Sequence, residues 1–86
     1  MTDQQKRYIE YFKSKHSELV ITNAIDYTNN VFLIEAIDLN GPQSMDTWYA
    51  IKKSNNKITN FVPALELDYF LEALDSDRNL NYSEVE

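Results

Sequence analysis

Apolar and polar positions follow a two-residue period through the middle of this chain and a helical period at its two ends. The densest apolar run is ELVITNAIDY, Glu18 to Tyr27, followed after Thr28-Asn29-Asn30 by VFLIEAIDL, Val31 to Leu39. β-Branched residues at alternating positions around a polar turn predict a hairpin. On the first strand Leu19, Ile21, Ile25 and Tyr27 are expected to face one way, with Asn23 among them. Val20, Thr22, Ala24 and Asp26 face the other. On the second strand Phe32, Ile34 and Ala36 oppose Val31, Leu33, Ile37 and Leu39, with Glu35 interrupting the latter set. Both faces are apolar over several residues, which a sheet with one face in water does not need.

Thr2 and Gln5 have the spacing of a capping box, and Asp3 suits the positive end of a helix. The pattern predicts a helix from Asp3 to Lys15 with Gln5, Ile9, Phe12 and His16 on one stripe and Tyr8 at its edge. Asn40-Gly41-Pro42-Gln43 carries the only glycine and reads as a break. Two more strands are expected, Met45 to Lys53 and Lys57 to Val62. Ser54-Asn55-Asn56-Lys57 joins them as a tight turn, because asparagine tolerates positive φ. Pro63 opens a second helix, where its missing N–H is no loss. There Leu67, Phe70, Leu71 and Leu74 form the apolar stripe, and Asp68, Glu72 and Asp75 line the opposite side.

These elements give an α+β fold ordered α-β-β-β-β-α, a four-stranded antiparallel meander with both helices on one face. Residues 1–75 form the domain and 76–86 an acidic C-terminal tail. If both helices share one face, the other exposes an apolar patch larger than a soluble monomer tolerates. A second copy forming a two-fold homodimer or a protein partner would then cover it, with Leu33 and Trp48 among the residues offered. The competing cover is the tail, through Leu80, Tyr82 and Val85.

Composition narrows the possible functions. The 86 residues suit one domain, and 43% hydrophobic content supplies one core. No cysteine is present, which fits a reducing, cytoplasmic setting and removes disulfides and thiolate zinc sites. The polar start, MTDQQKRYIEYF, lacks the apolar stretch of a signal peptide. No run approaches the about 18 apolar residues of a membrane span, so no membrane partner is expected. The net charge of −6 is uneven: the first helix is basic, the sheet region nearly neutral, and the region after Pro63 strongly acidic. That balance argues against nucleic acid, despite Lys6, Arg7, Lys13 and Lys15 beside Tyr8 and Tyr11. It suits a charged protein partner.

Little chemistry is suggested. His16 is the only histidine and is placed at a helix C-terminus, where its partial charge suits the dipole. With no cysteine, one glycine and no phosphate-cradling loop, no catalytic constellation is assembled, and no enzyme is expected. The candidate protein-binding residues are Asp68, Glu72 and Asp75 on the acidic helix side, with Trp48 and Leu33 on the sheet. Such an acidic surface would fit a basic site on another protein, and it reads equally well as ordinary helix solvation.

Two resemblances add to this reading. DSDRNLNYSEVE resembles the twelve-residue EF-hand calcium loop, with Asp75, Asp77, Asn79, Ser83 and Glu86 at its side-chain ligand positions and the Asn81 carbonyl at another. Leu80 stands where that loop calls for glycine, and Tyr82 where it has an aliphatic residue. What the resemblance implies is a calcium-responsive segment; the residues alone also read as a solvated acidic tail. Trp48 to Phe61, WYAIKKSNNKITNF, resembles the hairpin of PepSY-like domains and some small immunity proteins. Lys53 and Asn56 replace the acidic residue and glycine usual in that turn. What this second resemblance implies is a non-catalytic fold that binds another protein, as an inhibitor or immunity-type module.

Overall fold

The structure, a computed structural model, describes residues 1–41 and 47–85. The elements are α1 (Asp3–Lys15), β1 (Val20–Ile25), β2 (Val31–Ile37), β3 (Thr47–Lys52), β4 (Lys57–Phe61), a 3₁₀ turn (Pro63–Glu66) and α2 (Leu67–Leu74). The strands form one antiparallel sheet in the order β1-β2-β3-β4. The expected α+β class, element order and antiparallel meander are those observed. Met45 and Asp46, expected to begin β3, lie outside the described residues.

Helix α1 starts where its capping box sits. The Gln5 amide N–H donates to Thr2 Oγ1 at 3.1 Å, and the Thr2 N–H donates to Gln5 Oε1 at 2.9 Å. Two otherwise orphaned donors are thereby satisfied. Asp3 stands in the first turn and Lys13 and Lys15 in the last, so charges at both ends oppose the helix dipole. Tyr8, Ile9 and Phe12 are buried against the sheet. Burial of side chains such as Ile9 and Phe12 stabilises by about 1.5–3 kcal/mol each.

The helices lie on opposite faces of the sheet, which corrects the expectation that they share one. Helix α1 packs on Ile21, Ala24, Phe32, Ile34, Ala36 and Ile51. Helix α2 packs its Phe70 and Ala73 on Ile25, Tyr27, Leu33 and Trp48. The register explains the division: Phe32 opposes Ile51 and Ile34 opposes Tyr49 on one face, while Leu33 opposes Ala50 on the other. The apolar second face of β2 is thus covered by this chain's own helix, and counting faces no longer calls for a dimer.

A β-bulge between Ile21 and Asn23 breaks the regular alternation expected for the first strand. An extra residue in one strand reverses the alternation beyond it. Ile21 and Ala24 therefore share the α1 face, and Ile25 joins Tyr27 under α2. Side chains repair the interrupted ladder. Asn23 Oδ1 accepts from the Ala24 N–H at 2.8 Å, and Thr22 Oγ1 donates to the Glu35 carbonyl at 3.2 Å. Asn and Thr are suited to this because short polar side chains bond nearby backbone. The expected asparagine turn is also present, with Asn56 at φ 60°.

The C-terminal segment docks on the sheet edge. It runs antiparallel to β1 through three backbone bonds, the first two of which form the Ile25–Asn79 bridge. These go from Asp26 N–H to the Arg78 carbonyl (2.9 Å), from Leu80 N–H to Ala24 (2.9 Å) and from Glu84 N–H to Ile21 (2.8 Å). Leu80 and Tyr82 pack on the α1 core, not on the opposite face that the tail was expected to cover, and Val85 remains 50% exposed. Glu84 fastens the end: its carboxylate accepts from the Ile21 N–H at 3.1 Å and pairs with Lys13 at 2.5 Å. Burial pushes the Glu84 carboxyl upward, but the hydrogen bonds from Lys13 and Ile21 and the Lys13 charge outweigh it and hold it below its ordinary value of 4.5.

Two stability predictions follow from this packing. Phe12→Ala, at a fully buried site, should destabilise the fold by about 3–5 kcal/mol in urea titration, since it removes a ring and leaves a cavity. A carboxyl with a depressed folded-state value stabilises the fold above its unfolded value and loses that contribution as pH falls through the folded one. Stability should therefore decline below pH 4.5 partly through Glu84. Glu84→Gln should cost about 1 kcal/mol at pH 7 and flatten that acid limb. An unaltered limb would show that Glu84 does not anchor the segment.

Candidate protein-binding surface

Helix α2 is eight residues long, and its sequence holds more apolar side chains than its contact with the sheet can bury. Phe70 and Ala73 point inward, with Leu74 half-buried beside them. An aromatic cluster holds this side. Phe70 meets Trp48 edge-on at 5.0 Å between ring centroids and lies 5.9 Å from Phe61, while Tyr27 meets Phe61 at 5.4 Å. The Tyr27 hydroxyl donates to Glu66 Oε1 at 2.6 Å, tying the 3₁₀ turn to the connection that follows β1. Burial, then the hydrogen bond to Glu66, pushes the Tyr27 phenol far above its ordinary range, so it stays a donor.

With Phe70 and Ala73 inward, the 3.6-residue period carries Leu67 and Leu71 round to the flank of the helix. Each is 50% exposed, and Val62 and Leu65 of the preceding turn are exposed as well, Leu65 at 85%. The expectation that Leu67 and Leu71 lie in the core is corrected by this orientation. Exposed apolar side chains therefore recur from Val62 to Leu71, and on α2 Leu67 and Leu71, one turn apart, share a side.

Carboxylates stand beside these leucines. Asp68 and Glu72 are exposed on α2, and Asp75 is its C-terminal cap residue. No basic residue stands in the last turn, so Glu72 and Asp75 face the negative end of the dipole, the reverse of the arrangement in α1. Arg78 offers limited compensation. Its Nη2 is 3.9 Å from Glu72 Oε1, while the guanidinium stacks over the Tyr69 ring and donates to the Tyr69 hydroxyl at 2.9 Å.

The other expected binding residues lie elsewhere. Leu33 is fully buried and Trp48 is 7% exposed, both beneath α2, so they are core residues and present no surface to a partner. Their assignment assumed an uncovered face. Asp68, Glu72 and Asp75 do share the outer side of α2. Sequence reading missed Leu65, Leu67 and Leu71 as surface residues. The available signal was quantity: Leu65, Leu67, Phe70, Leu71 and Leu74 crowd the twelve positions from Pro63 to Leu74.

The described residues of the calcium-loop resemblance are spread from the end of α2 along the C-terminal segment. Asp75 ends α2, Asp77 is exposed beyond it, and Ser83 lies near the segment's end; Glu86 is outside the described residues. The Asn79 side chain is engaged locally, donating to the Leu74 carbonyl at 3.0 Å and accepting from the Asn81 N–H at 3.0 Å. Among the described residues, no group of three or more His, Asp or Glu side chains is placed to hold a metal ion. His16 caps α1, with its ring 4.9 Å from Phe12 and 5.5 Å from Tyr49.

One polar cleft of about 580 Å³ opens between Gln5, the Thr28–Asn30 turn, Lys53 and Arg78. Its central charges are occupied with one another. Asp26 accepts from Gln5 Nε2 at 2.9 Å and pairs with Lys53, and Arg78 reaches the Tyr27 carbonyl at 3.3 Å. These groups join α1, β1, the turn after β3 and the C-terminal segment, and we assign them that structural role. Among the described residues, no helix is long and apolar enough to cross a membrane. Comparison with protein-family models, with curated proteins and with solved structures gave no match for this chain.

The electrostatic mismatch at the end of α2 is measurable. Asp75→Lys should raise stability by about 0.3–1 kcal/mol in denaturant titration, with the gain shrinking at high salt. A loss of stability would mean that the Asp75 carboxylate serves the fold.

Proposed function

We propose that this chain is a small non-catalytic protein-binding module of the inhibitor or immunity type, acting in the cytoplasm and engaging its partner through the outer side of α2. The observation that carries this reading is the group of exposed leucines, Leu67 and Leu71 with Leu65, beside Asp68, Glu72 and Asp75. Single exposed apolar residues are normal on a protein surface, but several within one short helical region, with carboxylates beside them, are the kind of surface an interface uses. The absence of cysteine fits the reducing compartment assigned here.

A second copy of the chain was the other expected partner. Its rationale was an uncovered sheet face, and α2 occupies that face. A two-fold contact through these leucines would oppose like charges at Glu72 and Asp75, which disfavours self-association there.

Site-specific photo-crosslinking in cells that make the protein tests this reading. A crosslinker at position 71 should yield one discrete adduct, and one at Glu10 on α1 should not. Reversing Asp68, Glu72 and Asp75 to lysine should abolish the adduct while leaving thermal unfolding within about 1 kcal/mol of the parent, because all three are surface sites. No adduct at position 71, or one that survives the reversal, would remove α2 as the binding surface.

A further inference from the structure

We infer that the occupant of the α2 surface is a cationic amphipathic helix of another protein. This rests on the reading above and specifies the partner's chemistry. Leu67 and Leu71 are one helical turn apart on α2, and Leu65 and Val62, just before it in the chain, are exposed as well. A helix laid along such residues meets them with apolar residues spaced at i, i+3 or i+4 and i+7. Two helices pack about 8–10 Å apart, which brings lysine or arginine at the partner's flanks within reach of the carboxylates bordering the leucines.

Charge selects the sign of that partner. Helix α2 carries Asp68, Glu72 and the capping Asp75, and has no basic residue in its last turn. Its C-terminal dipole adds to the negative potential there. Arg78, the nearby cation, is committed to Tyr69 and the Tyr27 carbonyl and is 3.9 Å from Glu72. An incoming ammonium or guanidinium would meet both side-chain charge and dipole, while its apolar face covered the leucines.

The chain's own basic helix is a poor occupant. Lys6, Arg7, Lys13 and Lys15 lie on α1, across the sheet, and the only large hydrophobic residue exposed at that end among those described is Met1. Helix α1 has the charge without the apolar residues needed to match these leucines. A separate protein supplying both is the occupant to which the charges and leucines together point.

The test uses the full chain, isotopically labelled for amide NMR, and three synthetic peptides. One is a leucine–lysine amphipathic helix, one its leucine–glutamate counterpart, and one a scrambled leucine–lysine peptide of identical composition. The patterned cationic peptide should bind saturably, with shifts centred on Leu65, Leu67, Leu71, Glu72 and Asp75. Its affinity should fall about tenfold or more in Leu67→Ser/Leu71→Ser, both half-exposed sites, and weaken as salt is raised. Asp68→Lys/Glu72→Lys/Asp75→Lys should exchange the preference, taking the leucine–glutamate peptide instead.

Equal binding of the scrambled peptide would overturn the inference, reducing it to unpatterned charge attraction. So would parental preference for the leucine–glutamate peptide, shifts centred on α1, or concentration-dependent shifts at α2 in the free protein, which would indicate self-association. If position 71 crosslinks a partner in cells while the patterned cationic peptide fails, the surface stands and this partner class falls. If both fail, the reading of the surface falls as well.

Discussion

A sheet that is apolar on both faces must be covered on both, and this chain meets that demand with one helix per face. The requirement is set by β2, where Phe32, Ile34 and Ala36 point to α1 and Leu33 points to α2. The two layers are built differently. The α1 side combines aliphatic strand residues with Phe12, Tyr8 and Ile9 from a thirteen-residue helix. The α2 side has only eight helical residues, so bulk comes from aromatic rings: Tyr27, Trp48, Phe61 and Phe70 converge around the small Ala50 and Ala73. Large rings bury much area with few rotatable bonds, which lets a short helix dock firmly.

Short-range order was legible because each signal had a local cause. The Thr2–Gln5 box fixed the start of α1, the Asn55-Asn56 turn fixed the β3–β4 connection, and Pro63 marked the entry into the second helical region. The facing of the β1 side chains was less legible because it depends on a single inserted residue. Read as unbroken alternation, β1 puts Ile21 and Ile25 on one face; the bulge separates them. Thr22-Asn23 in the middle of an apolar strand was the local clue, since their side chains carry the bonds that the bulge removes from the ladder. The exposed leucines of α2 were hidden for a related reason. A helical apolar stripe normally reads as core, and only the docked orientation shows that Phe70 and Ala73 use the available contact while Leu67 and Leu71 do not.

The C-terminal segment shows how sequence composition can mislead about position. Its Asp, Asn and Ser residues suggest solvated turns, but the same side chains make a closely placed connector. Asn79 receives the end of α2 through the Leu74 carbonyl, and its backbone bridges to Ile25. Asn81, at φ 51°, takes the left-handed conformation that asparagine tolerates. Beyond that turn Tyr82 packs on the α1 core, and Glu84 bonds β1 and Lys13. Sheet edges are liabilities because their backbone groups are open to pairing. This segment covers much of the β1 edge, and β4 places the charged, exposed Lys57 at the start of the other.

The two helices differ in how well they suit water. Helix α1 has acid at its first turn and lysines at its last, with polar residues on most of its outer side. Helix α2 departs from both rules, with leucines facing solvent and carboxylates at its negative end. Neither departure is needed to hold the sheet, since Phe70, Ala73 and the aromatic cluster accomplish that. Both unfavourable features would be relieved by the same kind of contact, an apolar surface edged with positive charge. Domains with total stabilities of about 5–15 kcal/mol can sustain a departure of around one kcal/mol at a surface helix. Both departures are concentrated on the outer side of one helix, while the opposite helix satisfies its dipole, and that contrast is the physical basis of the proposal that α2 meets a partner.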